Sequence, residues 1–313
     1  MNQWEHILKE KFGQRVDRSV LMKQLTTIGV GGIADFFYVA KTIEELVEIV
    51  NFSYQSKIPF IVIGWGSNIV VSDFGFNGLV IKNEASRVVI NKEKGEIIAD
   101  SGLATGRLLT LAASNDLGGI EFLAGIPGTL AGAVNNNSGS KSMGIGDYVK
   151  SVTLLEEKMG EIKITNRDQK WMEFKCRETK LKSEYKNQLF KPVILSVKLR
   201  LAHKRKDEII RQIRKNIQDK KKKQPLLEKT AGSFFKNPGL SPEQSAGFLL
   251  DQSGAKKFKV GGAKVSGKHA NFVVNLNNAS GEDIRRLAEL MREAVKNNYG
   301  VILEEEVEYI GKW

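Results

Sequence analysis

Two stretches of this chain combine glycine with small hydrogen-bonding residues and carry no charge. The first, Gly64-Trp65-Gly66-Ser67-Asn68, follows the short apolar run Phe60-Ile61-Val62-Ile63. Backbone N–H groups in such a turn can cradle a phosphate, because glycine lets the ligand approach the main chain. A plain β-turn has the same composition. The second is Gly125-Ile126-Pro127-Gly128-Thr129-Leu130-Ala131-Gly132-Ala133. Small residues at this density either pack backbones together or let a ligand lie on them. Neither stretch is a GxGxxG followed about 20 residues later by an acidic group, and neither has the lysine of a nucleoside-triphosphate loop. Two such loops in separate parts of the chain suit one long ligand carrying a pyrophosphate.

Other reactive residue types are sparse. His6, His203 and His269 lie far apart in sequence, so a histidine-built metal site is not expected. His269, close to Asn271, reads as a turn cap in preference to a substrate-positioning group. Cys176 is the lone cysteine and cannot form an internal disulfide. Taken alone, Arg177 reads as half of a surface salt bridge, and Ser233, between Gly232 and Phe234, as a cap or turn serine. In Glu304-Glu305-Glu306, strand alternation would put Glu304 and Glu306 on one face, which does not choose between them.

The elements that must position these residues follow from periodicity. Thr42 to Glu45 reads as a capping box opening a helix with Ile43, Leu46, Val47 and Val50 on one face. Strands are expected at 60–63, 69–71 and 79–81, making a β-α-β-β first lobe over residues 1–84. A second lobe, 85–203, is rich in strand patterns at 88–90, 97–99, 152–155, 162–164 and 193–199, with one helix near 104–115; a mixed or antiparallel sheet is expected. A third, 204–300, opens with a charged helix over 205–222, breaks at Pro225, and holds a helix from Ser280 bearing Ile284, Leu287, Leu290, Met291 and Val295. Gly300 would stop it. Residues 301–313 contain a final strand, Val301–Ile310.

Composition sets outer limits. With 41% hydrophobic and 27% charged residues among 313, the chain is an ordinary globular one. No apolar run reaches the ~18 residues of a membrane span, and the N-terminal stretch lacks the apolar core of a secretory signal. A cytoplasmic location is expected. The net charge of +12 suits polyanions such as nucleotides. Lys220 to Lys223 sit at a helix end, where cations complement the dipole. That run lacks the aromatic residues of a single-strand stacking platform, so nucleic acid is not expected as a partner.

Six segments, in order along the chain, resemble the UDP-N-acetylenolpyruvoylglucosamine reductases. They are Thr26-Thr27-Ile28-Gly29-Val30-Gly31-Gly32-Ile33-Ala34-Asp35, Ile63 to Val71 with Gly75 to Ile81, Gly119 to Thr129, Ala231-Gly232-Ser233-Phe234-Phe235-Lys236-Asn237-Pro238, Lys268-His269-Ala270-Asn271-Phe272, and Leu303 to Val307. The length is similar to the shorter subtype, which lacks a substrate-covering tyrosine loop. The chain departs from the family pattern at Trp65, at Asn135 to Ser140, and at Cys176 and Thr179, where tyrosine and serine are usual around Arg177.

The resemblance implies an α+β fold. A two-lobed FAD-binding unit of the vanillyl-alcohol-oxidase/PCMH-like type would be joined by a smaller α+β substrate lobe. It implies non-covalent FAD, held by Gly64, Gly66, Ser67, Asn68, Gly125, Ile126, Pro127, Gly128, Thr129, Gly132 and Ala133. NADPH would be the co-substrate, and the reaction would be reduction of UDP-N-acetylglucosamine enolpyruvate to UDP-N-acetylmuramate for peptidoglycan. Arg177 would grip the substrate carboxylate, Ser233 would protonate C2, and Glu306 would assist. Lys236, Asn237, His269 and Asn271 would bind substrate. A soluble monomer without metal is expected. The alternatives are an FAD-dependent oxidoreductase acting on another substrate and a nucleotide-sugar-binding protein without turnover.

Overall fold

Most of the runs with period two form strands, and those with period 3.6 form helices, in the computed structural model, which describes residues 3–140, 143–185, 190–239 and 241–313. The chain makes two compact units. The first comprises the described parts of Met1–Asp17, Phe37–Gly64 and Leu79–Gln218; the second comprises those of Arg18–Phe36, Trp65–Gly78 and Asp219–Trp313.

In the first unit, the helix Ile43–Gln55 begins at Thr42, whose hydroxyl accepts from the Glu45 N–H at 3.2 Å. The Glu45 carboxylate takes the Lys41 N–H at 2.7 Å, so the return bond expected at Thr42 is displaced by one residue. The helix buries Leu46, Ile49 and Val50. The strand Phe60–Ile63 pairs in parallel with the Leu79–Lys82 part of the strand Phe76–Asn83. Beyond it lies a five-stranded antiparallel sheet, in the order Glu161–Asp168, Val149–Lys158, Val193–Arg200, Glu96–Asp100, Val88–Asn91. One face buries Ile97, Ala99, Val152, Leu154, Val197 and Leu199 against Leu108, Leu109 and Ala112 of the helix Thr105–Ser114 and Leu130 and Val134 of the helix Leu130–Asn135. The other face leaves Val89 and Ile98 exposed, as a half-covered antiparallel sheet does. The helix Lys206–Lys223 buries Ile209 alone, and its lysines form the last turn.

The second unit is built on the antiparallel order Thr230–Ser233, Phe272–Asn275, Ala263–Val265, Lys259–Val260. The 19-residue helix Gly281–Tyr299 buries Ile284, Leu287, Ala288, Met291 and Val295 in a core with Leu249, Leu250, Phe234, Phe235 and Val273. Ser280 and Asp283 form a capping box, and Gly300 ends the helix at φ +68°. Asp73 adds a second cap, its carboxylate accepting from the Gly281 and Glu282 N–H groups at 2.8 and 3.0 Å. The strand expected over 301–310 is confined to Glu308–Ile310, which pairs in parallel with Ile69–Val71. Residues before it touch the Phe234–Lys236 segment through an isolated bridge at Phe235–Glu305, too short to make a ladder. Among the described residues no helix is long and apolar enough to cross a membrane.

Candidate active site

The first unit carries one end of the glycine turn and all of the second glycine loop. A Cβ on Gly64 would come within 2.6 Å of Thr129 Oγ1 and 2.8 Å of its Cγ2, so the two loops meet there. Thr129 is buried and caps the helix Leu130–Asn135, its hydroxyl accepting from the Gly132 N–H at 3.3 Å. The first N–H groups of that helix are used internally: Leu130 donates to Leu103 O and Ala131 to Ser101 O, both at 2.8 Å. A phosphate here must therefore rely on the loop rather than on the helix end. The loop is shaped for that. Gly125 and Gly128 hold φ of +77° and +139°, and Gly125, Pro127 and Gly132 are exposed. A Cβ on Gly132 would meet only Thr129 Oγ1, at 3.6 Å. Bare, uncharged main chain with no carboxylate in the loop fits a large dinucleotide with a pyrophosphate, such as FAD.

Arg177 also belongs to the first unit. Lys175 and Glu178 exchange backbone hydrogen bonds of 2.9 and 3.2 Å, which places Cys176 and Arg177 at the tip of a tight turn. Arg177 is half-buried, with φ +59°. A branched or long side chain in that region costs about 1–2 kcal/mol, and such residues cluster at functional sites. Cys176 beside it is exposed.

In the second unit, Gly66 has φ +61°, and a Cβ there would collide with the Leu25 carbonyl. The Thr27 N–H donates to Gly66 O at 3.2 Å and the Thr27 hydroxyl to Thr230 O at 2.7 Å. The turn is thus tied to the strand that ends in Ser233. That strand pairs Thr230 with Val274 and Ser233 with Phe272, and its register shifts between them. Gly232, at φ +83°, forms this bulge, a device that re-aims the following side chain.

The three consecutive glutamates have three different surroundings. Glu304 is exposed and pairs with Lys236 at 2.6 Å. Glu305 accepts the Tyr309 hydroxyl at 2.9 Å and lies 3.6 Å from Arg292. Burial, reinforced by Glu305, keeps that phenol protonated far above its ordinary range. Glu306 alone is buried, at 8% exposure. Its N–H donates to Phe234 O at 2.8 Å and its carbonyl accepts Asn68 Nδ2 at 3.0 Å. Glu306, Asn68 and the residue after Ser233 are therefore in contact.

The expected substrate residues cluster in this unit with much of their polarity already engaged. Asn271 is buried; its Oδ1 accepts the Phe235 N–H at 2.9 Å and its Nδ2 donates to Phe235 O at 2.8 Å. His269 Nδ1 accepts the Asn271 N–H at 3.2 Å, and its ring stands edge-on to Phe272. Burial holds the imidazole pKa below its ordinary value, aided by Lys256 and opposed by Asp251. Asn237 Oδ1 accepts the Ala246 N–H at 3.0 Å at the start of the helix Ala246–Gln252. Lys236 is the one that keeps a charged group near the surface, on Glu304.

The reductase of this name from Caldicellulosiruptor saccharolyticus is 36% identical over 294 residues, 93% of this chain and 91% of its own length. That from Anoxybacillus flavithermus is 34% identical over 309 residues, 98% of each. The chain belongs to the UDP-N-acetylenolpyruvoylglucosamine reductase family. The crystal structure of the UDP-N-acetylenolpyruvylglucosamine reductase from Thermus caldophilus superposes with a TM-score of 0.76 at 32% identity, covering 95% of this chain and 99% of that one. Residues 34–166 match the FAD binding domain and residues 224–310 match the C-terminal domain of the UDP-N-acetylenolpyruvoylglucosamine reductase family. The α+β, FAD-binding class read from the sequence is therefore that of the chain. Both glycine loops fall in the FAD-binding match, Ser233 and Glu306 in the reductase match, and Arg177 in neither.

Sequence reasoning missed Gly232, whose bulge adjoins Ser233, and Asn137, which touches the Arg177 turn. Neither carries a periodicity signal, since both depend on positive backbone angles.

Proposed function

We propose that this chain reduces the enolpyruvyl ether of UDP-N-acetylglucosamine to UDP-N-acetylmuramate, a peptidoglycan precursor, with NADPH as the electron source and FAD as the carrier. Family membership over nearly the whole length supports the reaction. The burial of Glu306 against the segment that follows Ser233, while Glu304 and Glu305 face other partners, is the observation that carries the residue assignment.

FAD, when bound, would supply the redox chemistry, carrying reducing equivalents from NADPH to the enol ether. The chain's own groups do the rest. Gly64 to Asn68 and Gly125 to Ala133 would hold the cofactor along their main chain, although the N–H groups of Ile126 and of Leu130 to Ala133 are engaged within the fold. The Arg177 guanidinium grips the substrate carboxylate with two parallel bonds and stabilises the charge that spreads into it as C3 is reduced. The Ser233 hydroxyl delivers a proton to C2. A serine is a weak acid, so it needs an arranged environment, which the Glu306 carboxyl would supply. Lys236 offers a cation to the UDP phosphates. Asn271 and His269 hold the backbone that carries Ser233, and Asn237 caps the neighbouring helix. The same reading makes the protein a cytoplasmic monomer without a nucleic-acid role.

The test begins with absorbance. Purified protein shows flavin bands, and NADPH bleaches them. Addition of the enolpyruvyl nucleotide sugar restores them and drives NADPH consumption. Flavin that is bleached by NADPH but never reoxidised by this substrate assigns the chain to another reaction. Absence of flavin binding removes the enzyme reading.

A further inference from the structure

We infer that Asn137 is the positioning residue for Arg177, and that the segment Asn135–Asn137 is the bracket that sets the substrate clamp; this rests on the carboxylate role given to Arg177 above. The Arg177 turn is held from outside at both ends by this one segment. Asn137 Nδ2 donates to Lys175 O at 2.8 Å, two residues before Arg177. Thr179, buried and two residues after it, donates its hydroxyl to Asn135 O at 3.0 Å. Asn137 is fixed in turn, its Oδ1 accepting the Gly146 N–H at 2.9 Å. Gly144 lies so close that a Cβ there would collide with the Asn137 amide. Asn137 itself sits at φ +40°, a region that asparagine tolerates better than most residues. Its amide is thus both donor to one loop and acceptor from another, and no residue without both functions fills the place.

The bracket matters because the Arg177 backbone, at φ +59°, is not a conformation the residue adopts unaided. The Lys175–Glu178 pair closes the turn, and the two outside bonds anchor it; without them the guanidinium loses the fixed direction a two-point grip on carboxylate requires. Two of the places where this chain departs from the usual family pattern, Asn135 to Asn137 and Thr179, are therefore bonded to one another's segments.

The experiment is a double-mutant cycle. Asn137→Gly deletes both amide bonds while keeping a residue at ease with positive φ. Its kcat/KM for the enolpyruvyl substrate should fall on the order of tenfold to a hundredfold, as for a displaced positioning group. FAD content and the rate of flavin reduction by NADPH should stay within about twofold of wild type. In an Arg177→Ala background, Asn137→Gly should have no further effect, because the group it positions is gone. Thr179→Val, cutting the second strap, should give the same pattern. Should Asn137→Gly fail to hold FAD, Asn137→Asp reads the same contact, since it keeps the acceptor for Gly146 and loses the donor to Lys175. A loss of equal size in both backgrounds, or no loss in Asn137→Gly while Arg177→Ala is impaired, overturns the positioning role and leaves the proposed reaction standing. Wild-type turnover in Arg177→Ala would instead remove the clamp itself, and this inference with it.

Discussion

At the scale of single residues, the proposed chemistry rests on groups whose surroundings differ more than their types. Three adjacent glutamates meet solvent with a lysine, a phenol with an arginine, and a buried backbone seam. Alternation along a strand left Glu304 and Glu306 equivalent, because it describes a regular ladder, and this segment makes only one bridge. Two expectations belong here. Arg177→Lys keeps the charge but replaces a planar fork with a point donor; stopped-flow mixing should show normal flavin reduction by NADPH and badly slowed reoxidation by substrate. Near-wild-type turnover would refute the two-point grip. Ser233→Ala should likewise spare FAD binding and the NADPH half-reaction while turnover drops by roughly 10²–10⁴, the range for a lost general acid. If flavin reduction and reoxidation slow equally, or neither slows, the proton comes from elsewhere.

At the scale of elements, the glycines divide into those that fit and those that serve. Gly66 lies at positive φ against the Leu25 carbonyl, whereas a Cβ on Gly132, on a short helix, would make only ordinary contact with Thr129. Gly66→Ala should lower the melting temperature, since the left-handed backbone alone costs about 1–2 kcal/mol and the collision adds to it. Gly132→Ala should leave stability equal or up to about 1 kcal/mol higher, as alanine favours helix, yet weaken FAD in a fluorescence titration if its methyl enters the proposed cofactor site. Unchanged FAD affinity in Gly132→Ala would remove that residue from the cofactor site. Helix starts, most of each helix face and most strands were legible from local spacing, though Leu290, expected on a buried face, is exposed. The bulge at Gly232, the Asp73 cap on a helix two hundred residues onward and the Arg177 turn were not, because each depends on a backbone angle or a distant partner that no short window of sequence contains.

At the scale of the whole molecule, the first expectation concerns acid. The His269 ring is held neutral in the fold, whereas in the unfolded chain it takes a proton near its ordinary value of about 6.5. More protons bind to the unfolded state between the depressed folded pKa and that value. The ring's contribution is therefore complete above about pH 6.5 and is lost as pH falls through this window. Urea unfolding at several pH values should show the decline, and His269→Gln should flatten it; an unaltered slope in the variant would assign the acid sensitivity to other groups. The second concerns the cofactor. Neither Gly64 to Val71 nor Gly125 to Ala133 contains histidine or cysteine, so acid precipitation should release all the flavin into the supernatant. Flavin that stays with the protein through denaturing electrophoresis would contradict this. Lobes read as consecutive stretches along the chain cannot reveal that residues 18–36 and 65–78 pack with 219–313, since periodicity reports which face is buried and not against what.

That interleaving has a consequence for how the protein is made. Ile28, Val30 and Val70 end up buried in a core whose other members include Phe234, Leu303 and Val307. A ribosome adding about 5–20 residues per second takes roughly 10–30 s to travel from Val70 to Phe234. During that interval the early apolar segments have left the exit tunnel while their partners do not yet exist. The nascent chain therefore passes through a long sticky stage, in which binding by a holding chaperone competes with aggregation. The second unit can close only once Leu303 and Val307 have been made, so a stop before them strands residues made much earlier.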